Sequence, residues 1–446
     1  MVHDLGHEVQ REGARRELSA VLFGCDMAGL RAFRSLSIRD YRLWFIGAFV
    51  SNVGHWAQTT AITWVVLTQL TNGNAASIGF TLALQYGPQL FLTPIAGGVA
   101  DRFSRKHILL STQVIYIALA LVLCLLFFGE AVELWQIYLY AFLSGIVDSF
   151  EMPTRATLVS DLVPSAHIPN AVALNALSFN TSRLIGPAVA GIAIAAFGAG
   201  WVIAGTLASF IALLLVLLML RIAEHRGPPP RFGRSLGLGE GVRYVRMRPD
   251  ILLALCIVFL VGTFGMNFPI VASTMTIELG GGSAEYGALS TVLAVGSIIG
   301  ALAVAQRRTA RITTVIWACG LFGVSYIAAA FMPGYVSFAL MFLAIGYCSA
   351  TILSTSNGYI QLSCDPALRG RVLSLHFALL MGGTPLGAPL VGWIVDEFGA
   401  RWGLALAGMT GILCLTIGLL WMRRGGRQTS SPERDDDDRD SGEGRG

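Results

Sequence analysis

Charge is scarce in this sequence. Only 13% of its 446 residues are Asp, Glu, Lys or Arg, while 54% are hydrophobic; an ordinary soluble domain carries roughly 25% charged residues. Such a chain cannot cover its apolar surface with water-facing groups. Apolar runs of about twenty residues recur along it, and a helix needs that length to cross roughly 30 Å of hydrocarbon. The composition therefore predicts an all-α membrane protein that crosses the bilayer many times.

Motifs for catalysis and cofactor binding are also missing. The sequence has no phosphate-binding Gly-rich loop ending in Lys-Ser/Thr, no H-E-x-x-H, no nucleophile elbow and no cluster of metal ligands. We therefore expect no enzyme activity, no cofactor, no metal and no direct use of ATP. No C-x-x-C occurs, so we interpret the seven cysteines as packing residues: 25, 124, 256, 319, 348, 364 and 414.

The apolar runs form two sets of six and predict twelve transmembrane helices. They cover residues 42–68, 77–100, 107–129, 134–157, 168–197 and 201–222, then 251–277, 285–306, 312–332, 335–360, 370–396 and 402–422. The predicted domains are therefore an N-terminal arm (1–40), a first six-helix bundle (41–222), a linker (223–250), a second bundle (251–422) and a disordered acidic tail (423–446). The arm shows no cleavable signal peptide, and Met27 is an alternative translation start.

Lys and Arg placement predicts the orientation. Sixteen lie in the five connections on the side of the termini, against Arg401 alone on the other side. Because cytoplasmic loops carry the excess of positive charge, both termini are expected in the cytoplasm, with the protein in the cytoplasmic membrane. For the same reason, the arginines between Arg221 and Arg248 indicate contact with membrane lipid and not with nucleic acid.

The two halves are related by an internal repeat. A shift of 201 residues lays the segment 186–202 on 387–403, with six identities in seventeen positions and no gap. Each half is therefore expected to be a version of one six-helix unit, as in many transporters. The repeat places Ser349, Ile352, Ser356 and Thr384 where the first half has Asp148, Glu151, Arg155 and Arg183.

The loop from Gly97 to Lys106 resembles the signature loop of the major facilitator superfamily, with glycine, Asp-Arg and then paired basic residues. Other stretches resemble the exporter group of enterobactin (siderophore) exporters and macrolide-efflux-like permeases: 51–58, 152–155, 161–164, 170–175, 186–187 and 369–372. The resemblance implies a transporter that works by alternating access, and we expect it to be a monomer. It also implies that the loop is a gate, with Asp101 docking against the other bundle; a mere cytoplasmic anchor is the alternative. The gating candidates are Gly97, Asp101, Arg102, Arg105 and Lys106.

Charged side chains inside predicted spans are the main indication of mechanism, because their placement in hydrocarbon is costly and marks functional sites. Asp148, Glu151 and Arg155 have spacings of three and four and share one helix face. Asp148 and Arg183 lie at matching depths, so we expect them within reach of an ion pair. A carboxylate that changes its arginine partner takes up and releases a proton; a permanent ion pair that fixes helix register is the alternative.

Polar side chains on other helices predict the wall of an aqueous cavity. In helix one they form a single stripe on an otherwise apolar surface. Interhelical hydrogen bonding is the alternative, and His55 either titrates or is only hydrogen-bonded. The candidates are Asn52, His55, Gln58, Thr59, Asn175, Asn180, Asn267, Asn357 and Gln361.

Gly186, Pro187 and Gly191 are hinge candidates, because proline removes a helical hydrogen bond and glycine permits close helix contact. Together these patterns predict export of an amphipathic small molecule, drug-like or siderophore-like, coupled to proton entry. A nutrient importer of the same superfamily and a non-transporting membrane sensor or enzyme are the alternatives.

Overall fold

The computed structural model describes residues 33–220, 238–307, 309–366, 368–423 and 425. The rest of the predicted arm, linker and tail lies outside the described residues. Within the described ranges the regular structure is helical, with α-helices α1 (Arg39–Val65), α2 (Ala75–Arg102), α3 (Arg105–Phe128), α4 (Leu134–Asp161), α5 (Ile168–Phe197), α6 (Ala199–Met219), α7 (Leu238–Met247), α8 (Pro249–Leu260), α9 (Phe268–Glu278), α10 (Ser283–Ala305), α11 (Ile312–Ala330), α12 (Tyr335–Ser363), α13 (Arg369–Phe398) and α14 (Ala400–Arg423).

In the part of the chain that the structure describes, eight segments are long and apolar enough to cross a membrane: α3, α6, the α8–α9 pair, α10, α11, α12, α13 and α14. Helices α1, α2, α4 and α5 are equally long, with 27 to 30 residues, but more polar. These four helices carry most of the polar and charged candidates. Polarity is therefore concentrated in the first half of the molecule.

The helix ends follow from local chemistry. The side chain of Asn74 accepts a hydrogen bond from the backbone N–H of Ser77 and caps α2, and Glu133 with Gln136 forms a capping box at α4. Gly198 and Gly399 have φ of 89° and 96°, a conformation that favours glycine. Each of these two glycines turns the chain within one residue, from α5 to α6 and from α13 to α14.

The internal repeat is visible in helix positions. Helices α12, α13 and α14 begin 201 residues after α4, α5 and α6. Their packing repeats as well, because Gly145 of α4 lies against the backbone of Gln85 in α2, and Gly346 of α12 lies against the backbone of Leu293 in α10. The two halves thus share a close helix contact at equivalent glycines.

The halves meet closely at the end where α1 leads into α2, which we call the distal end. A Cβ atom added at Gly191 of α5 would lie 2.5 Å from the Ser283 carbonyl oxygen at the start of α10. One added at the equivalent Gly392 of α13 would lie 2.6 Å from the Ala75 carbonyl oxygen at the start of α2. The absence of side chains at both glycines therefore lets helices of opposite halves touch backbone to backbone.

Polar and aromatic contacts complete the distal end. The Asp396 carboxylate of α13 accepts hydrogen bonds from the backbone N–H groups of Ala75 and Ala76, at 2.5 and 2.8 Å. These N–H groups lie in the first turn of α2, where a helix offers them no carbonyl acceptor of its own. Trp64 of α1 stacks on Tyr286 of α10, with ring centroids 5.9 Å apart. The distal end is thus closed by contacts between the halves.

Two features of the second half depart from the predicted spans. The predicted helix 251–277 is interrupted after a π-helical turn, Val261–Gly265, and resumes at α9; Asn267 donates to the Thr263 carbonyl across this break, at 2.6 Å. The predicted linker also contains α7. Arg248, just after α7, donates to Asp250 at 3.0 and 2.8 Å, and this hydrogen bonding raises the pKa of Arg248.

Candidate functional site

A buried ion pair lies near the middle of α4. Glu151 is 4% exposed, and it pairs with Arg155 one turn along the same helix at 2.5 Å. Gln113 of α3 donates to the Glu151 carboxylate at 2.9 Å. Arg155 also donates to Asn52 at 2.8 Å and to Ser51 at 3.3 Å. The pair therefore connects α1, α3 and α4, and the carboxylate faces protein and not lipid.

Asp148 lies one turn before Glu151. It is fourteen residues from the start of α4 and thirteen from its end, which places it about 20 Å from either end at ~1.5 Å per residue. Its carboxylate accepts a hydrogen bond from the Tyr116 hydroxyl of α3. The Tyr116 ring stacks on Phe210 at 5.0 Å and meets His55 edge-on at 6.4 Å. A phenol therefore links this deep carboxyl group to the polar stripe of α1.

Arg183 contacts aromatic rings from both halves. Its guanidinium lies 5.6 Å from the Trp56 ring centroid of α1 and 5.9 Å from that of Phe268 in α9, distances at which a cation is attracted to a ring face. The expected Asp148–Arg183 ion pair is not among the ion pairs of the described residues. In this conformation the two charges have different partners.

A pocket lies beside these groups, between α1, α2 and α4. It brings together three of the predicted cavity residues, His55, Gln58 and Thr59. Gln58 is 2% exposed, and neither its amide nitrogen nor its amide oxygen has a hydrogen-bond partner in the described protein. The remaining lining residues are Ile62, Thr63, Val66, Ile78, Thr81, Leu82, Gln85, Tyr140 and Ala141.

The other predicted cavity residues lie elsewhere. Asn52 belongs to the ion-pair network described above. Asn180 donates to the Ala176 carbonyl of its own helix, and Gln361 donates to Asn357 one turn away. None of these four residues lines the pocket, and neither do Asn175 and Asn267.

Two basic residues of the predicted gating loop, Arg105 and Lys106, contact their own half. Arg105 pairs with Asp161 at 2.6 Å, and Lys106 donates to the Leu220 carbonyl at 2.7 Å. They tie the start of α3 to the ends of α4 and α6. Gly97, Asp101 and Arg102 lie in the last turns of α2, where the structure does not describe their surroundings.

The predicted hinge residues lie at tight helix contacts. Helix α5 continues through Pro187. A Cβ atom added at Gly186 would lie 2.6 Å from Cβ of Trp56, so α5 packs directly on α1. Gly191, one and a half turns later, meets α10 of the other half.

Sequence reasoning missed several residues of this region. Gln113 and Tyr116 are spaced three apart on the otherwise apolar α3, so a search for polar faces on the apolar runs would have found them. No pattern in the sequence marked Asp396 as a contact residue. It lies near the end of α13, where an acidic side chain is ordinarily exposed to water. Among the described residues, no group of three or more His, Cys, Asp or Glu side chains is placed to hold a metal ion.

Comparison with known proteins identifies the family. The family model described as transmembrane secretion effector, of the major facilitator superfamily, matches residues 31–435. The staphyloferrin A transporter of Staphylococcus aureus is 26% identical over 86% of this chain and 96% of its own. The multidrug efflux pump Tap of Mycolicibacterium fortuitum is 28% identical over 79% and 88%.

A solved structure shares the fold. The bacterial homologue of the human lysosomal transporter Spinster, in an inward-facing and unoccupied conformation, superposes with a TM-score of 0.67 at 16% identity, covering 88% of this chain and 99% of that one. The resemblance to major facilitator transporters is thereby confirmed. This chain belongs to the transmembrane secretion effector family of the major facilitator superfamily and is a membrane transporter, not an enzyme.

Proposed function

We propose that the protein exports amphipathic small molecules across the cytoplasmic membrane by alternating access, coupled to proton entry. Its helices form two six-helix bundles: α1–α6, and α8–α9 as one span with α10–α14. Both termini are cytoplasmic, as the placement of Lys and Arg indicates. The distal end then faces outward, and its close packing makes this an inward-facing conformation.

The observation that carries the proposal is the environment of Asp148. This carboxyl group lies about 20 Å from either end of the spanning helix α4. The hydrogen bond that it accepts comes from a neutral phenol, Tyr116. The guanidinium at matching depth, Arg183, lies between Trp56 and Phe268. A carboxyl group with a neutral partner holds a proton more readily than one beside a guanidinium.

Exchange of partners supplies the coupling. In the inward-facing conformation Asp148 is bonded to Tyr116 and separate from Arg183. Cargo that enters from the cytoplasm competes with the Arg183 guanidinium for the Trp56 and Phe268 rings. The displaced guanidinium moves to Asp148 while the cavity is still open inward, so the proton is released to the cytoplasm. When cargo leaves on the outer side, the guanidinium returns to the rings and Asp148 takes up a proton from outside, so each cycle moves a proton inward while cargo moves outward.

The walls and the relatives support an amphipathic cargo. Trp56 lies edge-on to Phe179, with ring centroids 5.9 Å apart, next to the cation of Arg183. Aromatic faces with few fixed charges suit molecules that have both an apolar ring system and polar groups. Two relatives are, by name, a staphyloferrin A transporter and a multidrug efflux pump, which supports the same class of cargo.

Transport by the purified full chain in proteoliposomes tests the proposal. With the cytoplasmic face outward and an acidic interior, ethidium should accumulate inside, read by its fluorescence on encapsulated DNA. Asp148→Asn should abolish this accumulation while the protein stays inserted. Glu133→Gln, at the end of the same helix, is the matched control and should retain it. Unchanged accumulation by Asp148→Asn would refute the coupling role, and proton-driven movement of ethidium in the opposite direction would refute export.

A further inference from the structure

The unpartnered amide of Gln58 points to a specific ligand chemistry. We propose that the pocket between α1, α2 and α4 binds the neutral, hydrogen-bonding end of the transported molecule, and that Gln58 is the residue that recognises it. This inference rests on the proposed function, because it assigns a part of the cargo to a site inside the first half. The pocket is thus a different site from the aromatic surface that Trp56 and Phe268 form between the halves.

Gln58 is the strongest evidence for a ligand. Its side chain is 2% exposed, and both polar atoms of its amide lack a partner in the described protein. Burial of an amide without hydrogen bonds is costly, so nearly all buried amides have a partner. The exceptions require a reason, and a ligand amide or hydroxyl group satisfies both the donor and the acceptor of Gln58.

The threonines of the pocket add acceptors. Thr59 and Thr63 donate their hydroxyl hydrogens to the carbonyls of His55 and Thr59, at 3.0 and 2.9 Å. Thr81 of α2 does the same with Ser77 at 2.8 Å. The hydroxyl oxygens of Thr59 and Thr81 keep lone pairs that can accept hydrogen bonds in the pocket. The site therefore favours a ligand group that donates hydrogen bonds as well as accepting them.

Charge is excluded by the same lining. None of the residues that form the pocket is Asp, Glu, Lys or Arg, and its one histidine, His55, lies at the mouth and not in the interior. A carboxylate placed there loses its hydration without gaining a cation, which is far less favourable than burial of a neutral amide. The ligand end that fits is therefore uncharged, such as a primary amide, a sulfonamide or an alcohol.

The pocket is blind at its distal end. Val66 and Ile78 are 0% and 1% exposed and form its apolar floor, whereas His55, Thr59 and Gln85 are partly exposed and mark its mouth. The His55 and Trp56 rings are 6.3 Å apart. An amphipathic molecule can thus place its polar end in the pocket while its ring system lies near Trp56.

Two dansyl probes that differ in charge test this site on the purified full chain in detergent. Dansylamide carries a neutral sulfonamide, and dansylglycine carries a carboxylate; dansyl fluorescence rises in apolar surroundings. We expect saturable binding of dansylamide and none of dansylglycine. Gln58→Leu should weaken dansylamide binding about tenfold, which corresponds to about 1.4 kcal/mol. Gln89→Leu, which removes another buried glutamine outside the pocket, should bind like the parent chain.

A second variant guards against misfolding of the first. Ala141, 3% exposed at the pocket wall, can be changed to leucine to fill the space while every hydrogen-bonding group stays. Ala141→Leu should abolish saturable dansylamide binding. Absence of binding by the parent chain, equal affinity for Gln58→Leu, or equal binding of dansylglycine would each overturn the proposal. The assay uses no proton gradient, so it is independent of whether export is proton-coupled.

Discussion

At the scale of single residues, the Glu151–Arg155 pair shows how a charge is tolerated inside the bilayer. The carboxylate has one ionic and one amide partner, Arg155 and Gln113, and the guanidinium has two further acceptors on α1. Removal of one member of a buried pair leaves the other charge desolvated and unpaired, which costs more than loss of the pair as a whole. The pair is thus best tested by single and double substitution.

Glu151→Gln should destabilise the protein. The Arg155 side chain is 18% exposed, so the loss is expected below the ~3–5 kcal/mol of a fully buried pair, at about 2 kcal/mol. Thermal unfolding of the purified protein in detergent should show a midpoint lowered by about 2 °C. The double variant Glu151→Gln, Arg155→Met should recover part of this loss, because no buried charge remains. A double variant that is less stable than the single one would contradict the argument.

At the scale of helices, Asp396 acts as a latch between the halves. It belongs to α13, yet its two carboxylate oxygens bind the first N–H groups of α2, 320 residues away in sequence. The positive end of the α2 dipole favours a negative charge at this position. The residue is exposed, so the contact is screened by solvent and contributes modestly to closure of the distal end.

Asp396→Asn should shift the conformational equilibrium toward opening of the distal end. Loss of a charge at a helix N-terminus is worth about 0.3–1 kcal/mol, which is roughly a two- to fivefold change. Leu82→Cys, in a pocket residue that is 4% exposed, provides the reporter. A membrane-impermeant thiol reagent added outside intact cells should label it two to five times faster in the Asp396→Asn background.

The neighbouring acid provides the matched control for this latch. Glu397 is exposed on the same turn of α13, and Glu397→Gln removes an equal charge. It should leave the labelling rate unchanged. An equal acceleration by both variants would show a general surface-charge effect and would contradict the latch.

The helices were more predictable than the contacts between them. Hydropathy placed the starts of α4 and α5 at residues 134 and 168, as observed, because burial in hydrocarbon demands long apolar runs. The partner of Asp148 was not predicted, since the tyrosine that binds it lies on α3 and no local pattern relates the two. The break in the predicted helix 251–277 lies just before Pro269, as expected of a residue that removes a helical hydrogen bond, whereas hydropathy alone reads the stretch as one apolar run.

At the scale of the molecule, the two halves share a framework but not its charges. The starts of α12 to α14 keep the register of α4 to α6, while Ser349, Ile352 and Ser356 occupy the positions of Asp148, Glu151 and Arg155. These three residues are buried, at 7%, 0% and 0% exposed. The repeated unit therefore forms without the charges, which supports a functional role for them in the first half.

The proposed topology predicts which loops are reached from each side. Gly334 precedes α12 and Gly370 lies in the first turn of α13, and a Cβ atom at either position would meet nothing within 4 Å. The same impermeant reagent should label Gly334→Cys in intact cells. It should label Gly370→Cys only after the cells are broken, with the parent chain as the blank. The reverse pattern would place both termini outside.

Equivalent glycines in the two halves control how far the distal end closes. At Gly392 an added methyl group would lie 2.6 Å from the Ala75 carbonyl oxygen, closer than packed atoms approach, so closure requires the backbones to separate. Overpacking of this kind costs about 1–3 kcal/mol, and Gly392→Ala should accelerate labelling of the Leu82→Cys reporter from outside by at least about fivefold. Gly205→Ala on α6, where a Cβ atom meets nothing within 4 Å, should not change it. Because Gly191→Ala obstructs the equivalent contact with α10, it should act in the same direction as Gly392→Ala; opposite effects of the two would mean that the halves do not move as paired units.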